Sequence, residues 1–312
     1  MRQAPLFADL AQAPDGGEAH WLTAADGVRL RMAVWPAGPH GTILVLPGRT
    51  EYIEKYGPAV GDLTRRGFAA AVLDWRGQGL SDRLLDDGET GHVHRFADYQ
   101  HDMVAMIAGL RGLGLPEPYH LLAHSMGGCI GLRALMEDVP VATAIFSAPM
   151  WGLRIAQALR PVAWALAAGA RGLGQGHRYA PGTGPVNYVG HADFEGNVLT
   201  TDPEMFAFMR DQIATQPSLA LGGPSMHWLH EALRETADLA RRPPPGLPAL
   251  TVLGSRERVV DPRAIHRRMA DWHGGRLDLV EGAEHEVMME VPAIRDAFFD
   301  SAAQWFTSRA AG

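Results

Sequence analysis

At 312 residues, with 46% apolar and 20% charged side chains, the chain is long enough for one large α/β domain carrying an insertion. A formal charge of -7 without a long basic block argues against nucleic acid as a partner and leaves neutral or zwitterionic lipid open. One cysteine, Cys129, rules out an internal disulfide and fits a reducing compartment. No apolar stretch reaches the roughly 18–20 residues of a spanning helix. A cytoplasmic protein is therefore expected, with peripheral contact at the inner face of a membrane left open. Residues 1–20 are polar, broken by Pro5, Pro14 and Gly16-Gly17, and lack an apolar signal core, so they read as a short extension.

Residues 28–34 alternate apolar and polar, the pattern of a half-exposed edge strand. Residues 42–46 are continuously apolar, as in a parallel strand buried on both faces, and end in Pro47-Gly48-Arg49-Thr50-Glu51. A helix to about residue 66 follows, then a second buried run, 68–73, ending in Asp74-Trp75-Arg76-Gly77-Gln78-Gly79-Leu80-Ser81. After a loop holding His92 and His94, residues 96–113 read as a helix. A strand at 119–123, a helix from 126 to about 137, and a strand at 141–146 closing with Ser147-Ala148-Pro149-Met150 come next. Strands alternating with helices imply right-handed crossovers and a mostly parallel, doubly wound sheet. In such sheets the chemistry gathers at the C-terminal strand ends, where Gly48, Asp74, Ser125 and Ser147 fall.

From residue 151 to 240 the strand signals vanish, and three greasy helical stretches remain at 153–166, 203–213 and 225–235. Thr201 reads as the cap of the second, with Glu204 closing a capping box. After Arg241-Arg242-Pro243-Pro244-Pro245 the alternation returns: strand 249–253, helix 262–272, strand 276–280, helix 291–308. The expected architecture is an α/β core (1–150 and 241–312) interrupted by a helical lid (151–240).

The stretch Leu121-Leu122-Ala123-His124-Ser125-Met126-Gly127-Gly128 is the sequence form of a nucleophile elbow, a strand and a helix joined by a sharp turn carrying serine. The turn strains the serine backbone, so small residues are needed two before and two after it, here Ala123 and Gly127. A serine hydroxyl needs a general base, which a third group orients. On this fold the expected chain order is serine, acid, histidine. His285, in Gly282-Ala283-Glu284-His285-Glu286 after the last strand, is the candidate base. Glu257 and Asp261 both follow strand 249–253. Glu257 lies nearer the strand end and is favoured as the acid, whereas Asp261 directly precedes Pro262 and suits a helix cap. The oxyanion of acyl transfer needs backbone N–H donors, expected from Met126 and from Arg49 behind Pro47-Gly48.

These segments carry a resemblance. Pro47-Gly48-Arg49-Thr50-Glu51 with Lys55-Tyr56, Asp74 to Ser81, Gly91-His92-Val93 with Tyr99, the elbow, Ser147-Ala148-Pro149-Met150, Gly254-Ser255 with Glu257, and Gly282 to Glu286 occur in order. Together they resemble α/β-hydrolases of the monoacylglycerol lipase and bacterial lysophospholipase group, with its serine aminopeptidase-type domain. The Pro-Gly-Arg-x-Glu loop and Ser-Ala-Pro-Met look closer to the lysophospholipases. The resemblance implies an α/β-hydrolase fold with Ser125 as nucleophile, His285 as base, Glu257 as acid, and Arg49 and Met126 as oxyanion donors. Two positions depart from the pattern, Ala123 for the first elbow glycine and glutamate for the usual aspartate.

The function expected is a serine carboxylester hydrolase working through an acyl-enzyme on a lysophospholipid or monoacylglycerol, with no cofactor and no metal. Amide hydrolysis and a non-catalytic ligand-binding role are the alternatives on the same scaffold. His92 and His94 lack a third ligand at suitable spacing, His124 reads as a packing residue, and Cys129 as a buried, inert thiol. Met150 and Trp151, with Trp164, Phe206, Phe208, Met226 and Trp228, are candidates either to line an acyl pocket or to form the lid's own core. Arg49 is the cation expected near a substrate head group.

Overall fold

The structure is a computed structural model and describes residues 1–36 and 38–309. Position 37, within the expected first core segment, and positions 310–312, at the end of the second, lie outside the described residues. The strands are β1 (Arg2–Gln3), β2 (Glu18–Thr23), β3 (Arg29–Trp35), β4 (Thr42–Leu46), β5 (Ala69–Asp74), β6 (Tyr119–His124), β7 (Thr143–Ser147), β8 (Ala249–Gly254) and β9 (Arg276–Val280). They form one sheet in the order β1-β2-β3-β5-β4-β6-β7-β8-β9. The pairs among β1, β2, β3 and β5 are antiparallel, and all pairs from β5 across to β9 are parallel.

The continuous apolar runs of the sequence become strands buried on both faces. Leu44 and Leu46 of β4 point into one core, with Leu73, Leu121 and Phe146. Ile43 and Val45 point into the other, with Val72, Leu122 and Ile145. The period-two alternation of a strand thus splits each run between two cores. Helices α1 (Ala8–Ala11), α2 (Gly57–Arg65), α3 (Tyr99–Gly112) and α4 (Ser125–Met136) precede the inserted segment. That segment holds α5 (Arg160–Gly172), α6 (Tyr188–His191), α7 (Pro203–Thr215) and α8 (Met226–Arg241). Helices α9 (Pro262–Ala270) and α10 (Pro292–Arg309) follow it.

Three expectations are corrected. The half-exposed edge strand is neither exposed nor at an edge: β3 is buried from Leu30 to Trp35 and sits between β2 and β5. Its polar residue Arg31 is fully buried, neutralised by Glu54 and Asp74 at 2.7 Å each, so the alternation reported a buried ion pair and not solvent. The extension at 1–20 joins the fold, supplying β1, α1 and the start of β2. Ala4, Ala11 and Ala19 are buried, and the Trp35 indole donates to the Pro14 carbonyl at 3.1 Å. Finally, α7 is capped by Asp202, whose Oδ1 accepts from Glu204 N at 2.8 Å, while Thr201 donates its hydroxyl to Glu290. Asp202 directly precedes Pro203 at the first helical position and so occupies the cap, one residue after the threonine.

Candidate active site

Strand β6 runs straight into α4 with no intervening loop, and Ser125 makes the turn at φ +49°. A left-handed φ is strained for a residue with a Cβ and persists only where the surroundings enforce it. Two glycines allow it. A Cβ on Gly127 would stand 2.2 Å from the Leu46 carbonyl oxygen and 2.5 Å from that of Pro47; one on Gly128 would stand 2.5 Å from Pro149 Cβ. Ala123, by contrast, faces Gly131, whose missing side chain leaves room for the alanine methyl. Gly127→Ala is expected to destabilise the fold by about 1–3 kcal/mol, because the clash is with backbone that cannot step aside. Chemical denaturation reads this directly, and a variant as stable as the parent would show that the elbow is looser than described.

Beyond the end of β8, Glu257 is buried and its Oε2 lies 2.7 Å from His285 Nδ1. Its Oε1 accepts from Val259 N at 2.5 Å and Val260 N at 2.9 Å, so both carboxylate oxygens are fixed. Burial pushes this carboxyl up, but the hydrogen bond to His285 and the two backbone donors outweigh it and hold Glu257 below the usual 4.5. A depressed folded-state pKa contributes stability that is complete above 4.5 and is lost as pH falls through the lower folded value. Wild type is therefore expected to lose stability relative to Glu257→Gln on acidification below that range. Melting temperatures from pH 7 to pH 3 test it; a gap independent of pH refutes the assignment.

Asp261 stays apart from the histidine. It caps α9, accepting from Arg263 N at 3.1 Å, and pairs with Arg160 of the inserted segment at 2.8 Å. His285 follows β9 in a buried turn, its ring tilted against that of His124 at 4.8 Å between centroids. Burial pulls the His124 pKa down to about 3, so this ring is neutral, and it shares a hydrogen bond with the Ser147 carbonyl at 3.1 Å.

Ser125 and His285 line one cavity of about 430 Å³. Among the described residues none is hydrogen-bonded to the Ser125 hydroxyl; catalytic hydrogen bonds of this kind commonly tighten only when substrate is present. Met150, Leu153, Met209, Ile213, Trp228 and Val260 give the cavity an apolar lining. Trp151 does not take part: its indole donates to Gly128 O at 3.0 Å, and its ring packs on Phe146 at 5.0 Å and Trp272 at 5.9 Å. The backbone bond from Met150 N to Ser125 O turns Met150 to the cavity and its neighbour into the core. Phe206 and Phe208 form a small core of their own within the inserted segment, and Met226 packs with Ala167 and Ala180.

The loop after β4 shows which backbone donors remain. Gly48 N donates to Glu51 Oε2, and Thr50 N donates to Gln78 Oε1 at 3.2 Å. Arg49 N has no partner among the described residues. Met126 lies in the first turn of α4, where N–H groups have no partner within the helix. A buried charge network that sequence reasoning missed holds this loop. Lys55 Nζ bridges Glu51, at 2.7 Å, and Glu286; Tyr56 OH donates to Glu51 at 2.5 Å. Its signal was the (i, i+4) spacing of Glu51 and Lys55 and the second glutamate beside His285. Glu51, His124 and Glu286 also bring ligand atoms within 4.8 Å, but the Lys55 ammonium already supplies the positive charge between the two carboxylates.

The parallel sheet, the strained serine between strand and helix, and the acid–histidine pair beyond the last two strands define an α/β-hydrolase. The chain belongs to the serine aminopeptidase S33 family (Hydrolase_4), whose model matches residues 37–292. It is 34% identical over 299 residues to lysophospholipase L2 of Escherichia coli (strain K12), covering 91% of this chain and 86% of the relative. A probable lysophospholipase L2 of Haemophilus influenzae is 29% identical over 255 residues, covering 81% of this chain and 79% of that protein. Among solved structures, a soluble variant of monoglyceride lipase from Saccharomyces cerevisiae, in complex with a substrate analog, superposes with a TM-score of 0.72. It is 19% identical, covering 92% of this chain and 94% of that one, a likeness that shows the fold alone.

Proposed function

We propose that the protein hydrolyses carboxylic esters of lysophospholipids or monoacylglycerols through an acyl-enzyme on Ser125. The observation that carries this reading is the Glu257–His285 pair at 2.7 Å, whose histidine lines the same cavity as a serine held at φ +49°. His285 takes the Ser125 proton as the hydroxyl attacks the ester carbonyl, and Glu257 fixes the ring through Nδ1 so that Nε2 faces the serine. The N–H groups of Arg49 and Met126 stabilise the oxyanion. Collapse releases the alcohol with the proton returned by His285; water, activated by the same ring, then frees the fatty acid. The apolar lining beneath the inserted helices suits a hydrocarbon chain, and residues 151–240 serve as a lid over the core segments 1–150 and 241–312. The relatives named lysophospholipase L2 support the substrate class.

Peripheral contact with a lipid surface belongs to the same reading. Leu159, Val162, Leu166 and Leu173, on and beside α5, are each more than half exposed and follow helical spacing. A cytoplasmic location fits the single buried thiol of Cys129. No helix among the described residues is long and apolar enough to cross a membrane.

The test is a fluorophosphonate probe together with mass spectrometry of a mixed lipid extract. Labelling confined to Ser125, with fatty acid released from single-chain glycerolipids, is expected. An unlabelled protein that releases no fatty acid ends the hydrolase reading.

A further inference from the structure

Two permanently charged basic side chains line the cavity, and they differ in their company. Lys55 lies between Glu51 and Glu286 and is neutralised by them. Arg49 has no carboxylate partner among the described residues. Its Nη1 donates to the Gly222 carbonyl at 2.9 Å, and the guanidinium carbon stands 5.8 Å from the centre of the Trp228 ring. The seat is tight: a Cβ on Gly91 would lie 3.3 Å from that Nη1. Burial with no countercharge pulls the pKa down to about 10, which still leaves a full positive charge at neutral pH. A cation withdrawn from water without an anion is costly, and the cost is recovered when an anionic ligand arrives. Most of the five N–H donors of a guanidinium are still uncommitted here, and their planar fork matches phosphate oxygens.

We propose that the Arg49 guanidinium receives the phosphate of a single-chain glycerophospholipid, so that the cavity selects a lysophospholipid over an uncharged monoacylglycerol. This rests on the ester-hydrolase reading given above, in which Arg49 N holds the carbonyl oxygen. Covalent reach supports it. In a 1-acyl lysophospholipid, as many bonds separate the ester carbonyl carbon from phosphorus as separate Arg49 N from its own Cζ. A carbonyl bound at the backbone of this residue therefore brings the phosphate within the sweep of its side chain. Lys55 offers no equivalent, because both of its flanks are already occupied by carboxylates.

Affinity is measured for two non-hydrolysable ether lipids of equal chain length, an alkyl-glycerophosphocholine and an alkylglycerol, and for inorganic phosphate. Wild type, Arg49→Gln and Arg49→Lys are compared, with melting temperatures to confirm folding. Wild type is expected to bind the phosphorylated lipid about tenfold or more tighter than the alkylglycerol, and tighter than inorganic phosphate. Arg49→Gln removes the preference. Arg49→Lys keeps part of it, since a point charge replaces the fork. In turnover, the ratio of kcat/KM for lysophosphatidylcholine to that for monoacylglycerol falls by about 10–100-fold in Arg49→Gln. Equal affinity of wild type for the two lipids overturns the proposal, as does inorganic phosphate binding tighter than the phosphorylated lipid. A ratio that Arg49→Gln leaves unchanged also overturns it, and assigns the side chain to loop support. The two readings fail separately: a preference for the phosphorylated ether lipid in a protein that resists the fluorophosphonate and releases no fatty acid keeps the head-group seat and discards the hydrolase.

Discussion

Ser125→Ala and His285→Ala are each expected to lower kcat by about 10⁴–10⁶-fold, and the double variant by little more than either alone. The reason is that the two side chains act as one device. A serine hydroxyl without a base is a poor nucleophile, and a base without the hydroxyl has nothing to activate. Glu257→Gln should cost less, about 10³–10⁴-fold, because the amide retains the shape but favours the wrong imidazole tautomer at the 2.7 Å contact with Nδ1. On the proposed mechanism the residual rate in all three comes from the backbone N–H groups of Arg49 and Met126, which as oxyanion donors would survive side-chain substitution. Single-turnover kinetics on a nitrophenyl ester separate acylation from deacylation and place the loss on the first step. A His285→Ala enzyme within tenfold of wild type, or losses that multiply in the double variant, would break the link between the two residues. The same result would strip meaning from the strained φ at Ser125.

Local signals in the sequence bring the candidate site into view. Ala123, Ser125 and Gly127 report a turn too crowded for larger side chains, and the backbone carbonyls of Leu46 and Pro47 supply that crowding. Glu257 and His285 stand just past two strand signals, so their placement beyond the C-terminal ends of neighbouring parallel strands follows from β8 and β9. Glu257 and Asp261 were separable because a carboxylate next to Pro262 has a cap to make. What escaped were meanings set by partners distant in sequence. Arg31 looks like a solvent-facing residue until Glu54 and Asp74 are seen around it. The polar residues 1–20 give no strand pattern; the pairing of β2 along β3, of β1 along β2 and the Trp35 bond to the Pro14 carbonyl, all to partners elsewhere in the chain, order them. Trp151 sits beside a site residue in sequence, yet one backbone turn sends it into the core with Phe146 and Trp272. The (i, i+4) spacing of Glu51 and Lys55 signals only the local half of their network; Glu286 lies more than two hundred positions away, and no periodicity ties it in.

Lys55→Met is expected to destabilise the protein by about 3–5 kcal/mol, a large share of a typical domain's stability. Lys55 is almost fully buried and bridges two buried carboxylates; without it Glu51 and Glu286 face each other as like charges in a dry interior. Methionine fills much of the volume, so the loss reports charge and not a cavity. Burial already pushes Glu286 above its ordinary value, with Lys55 opposing the shift and Glu51 adding to it. Removing the ammonium raises it further. A group with a raised folded-state pKa gives stability that is present at low pH and is lost as pH rises through that value. The penalty of Lys55→Met should therefore be smaller at pH 5 than at pH 8, and adding Glu286→Gln should recover part of it. Activity should fall as well, because Glu51 holds Gly48 N while Glu286 adjoins His285, so the network ties the loop after β4 to the proposed base. Urea denaturation of the single and double variants at both pH values decides. A loss under about 1 kcal/mol, or one that does not vary with pH, would mean that the two carboxylates do not depend on the lysine for their charge balance.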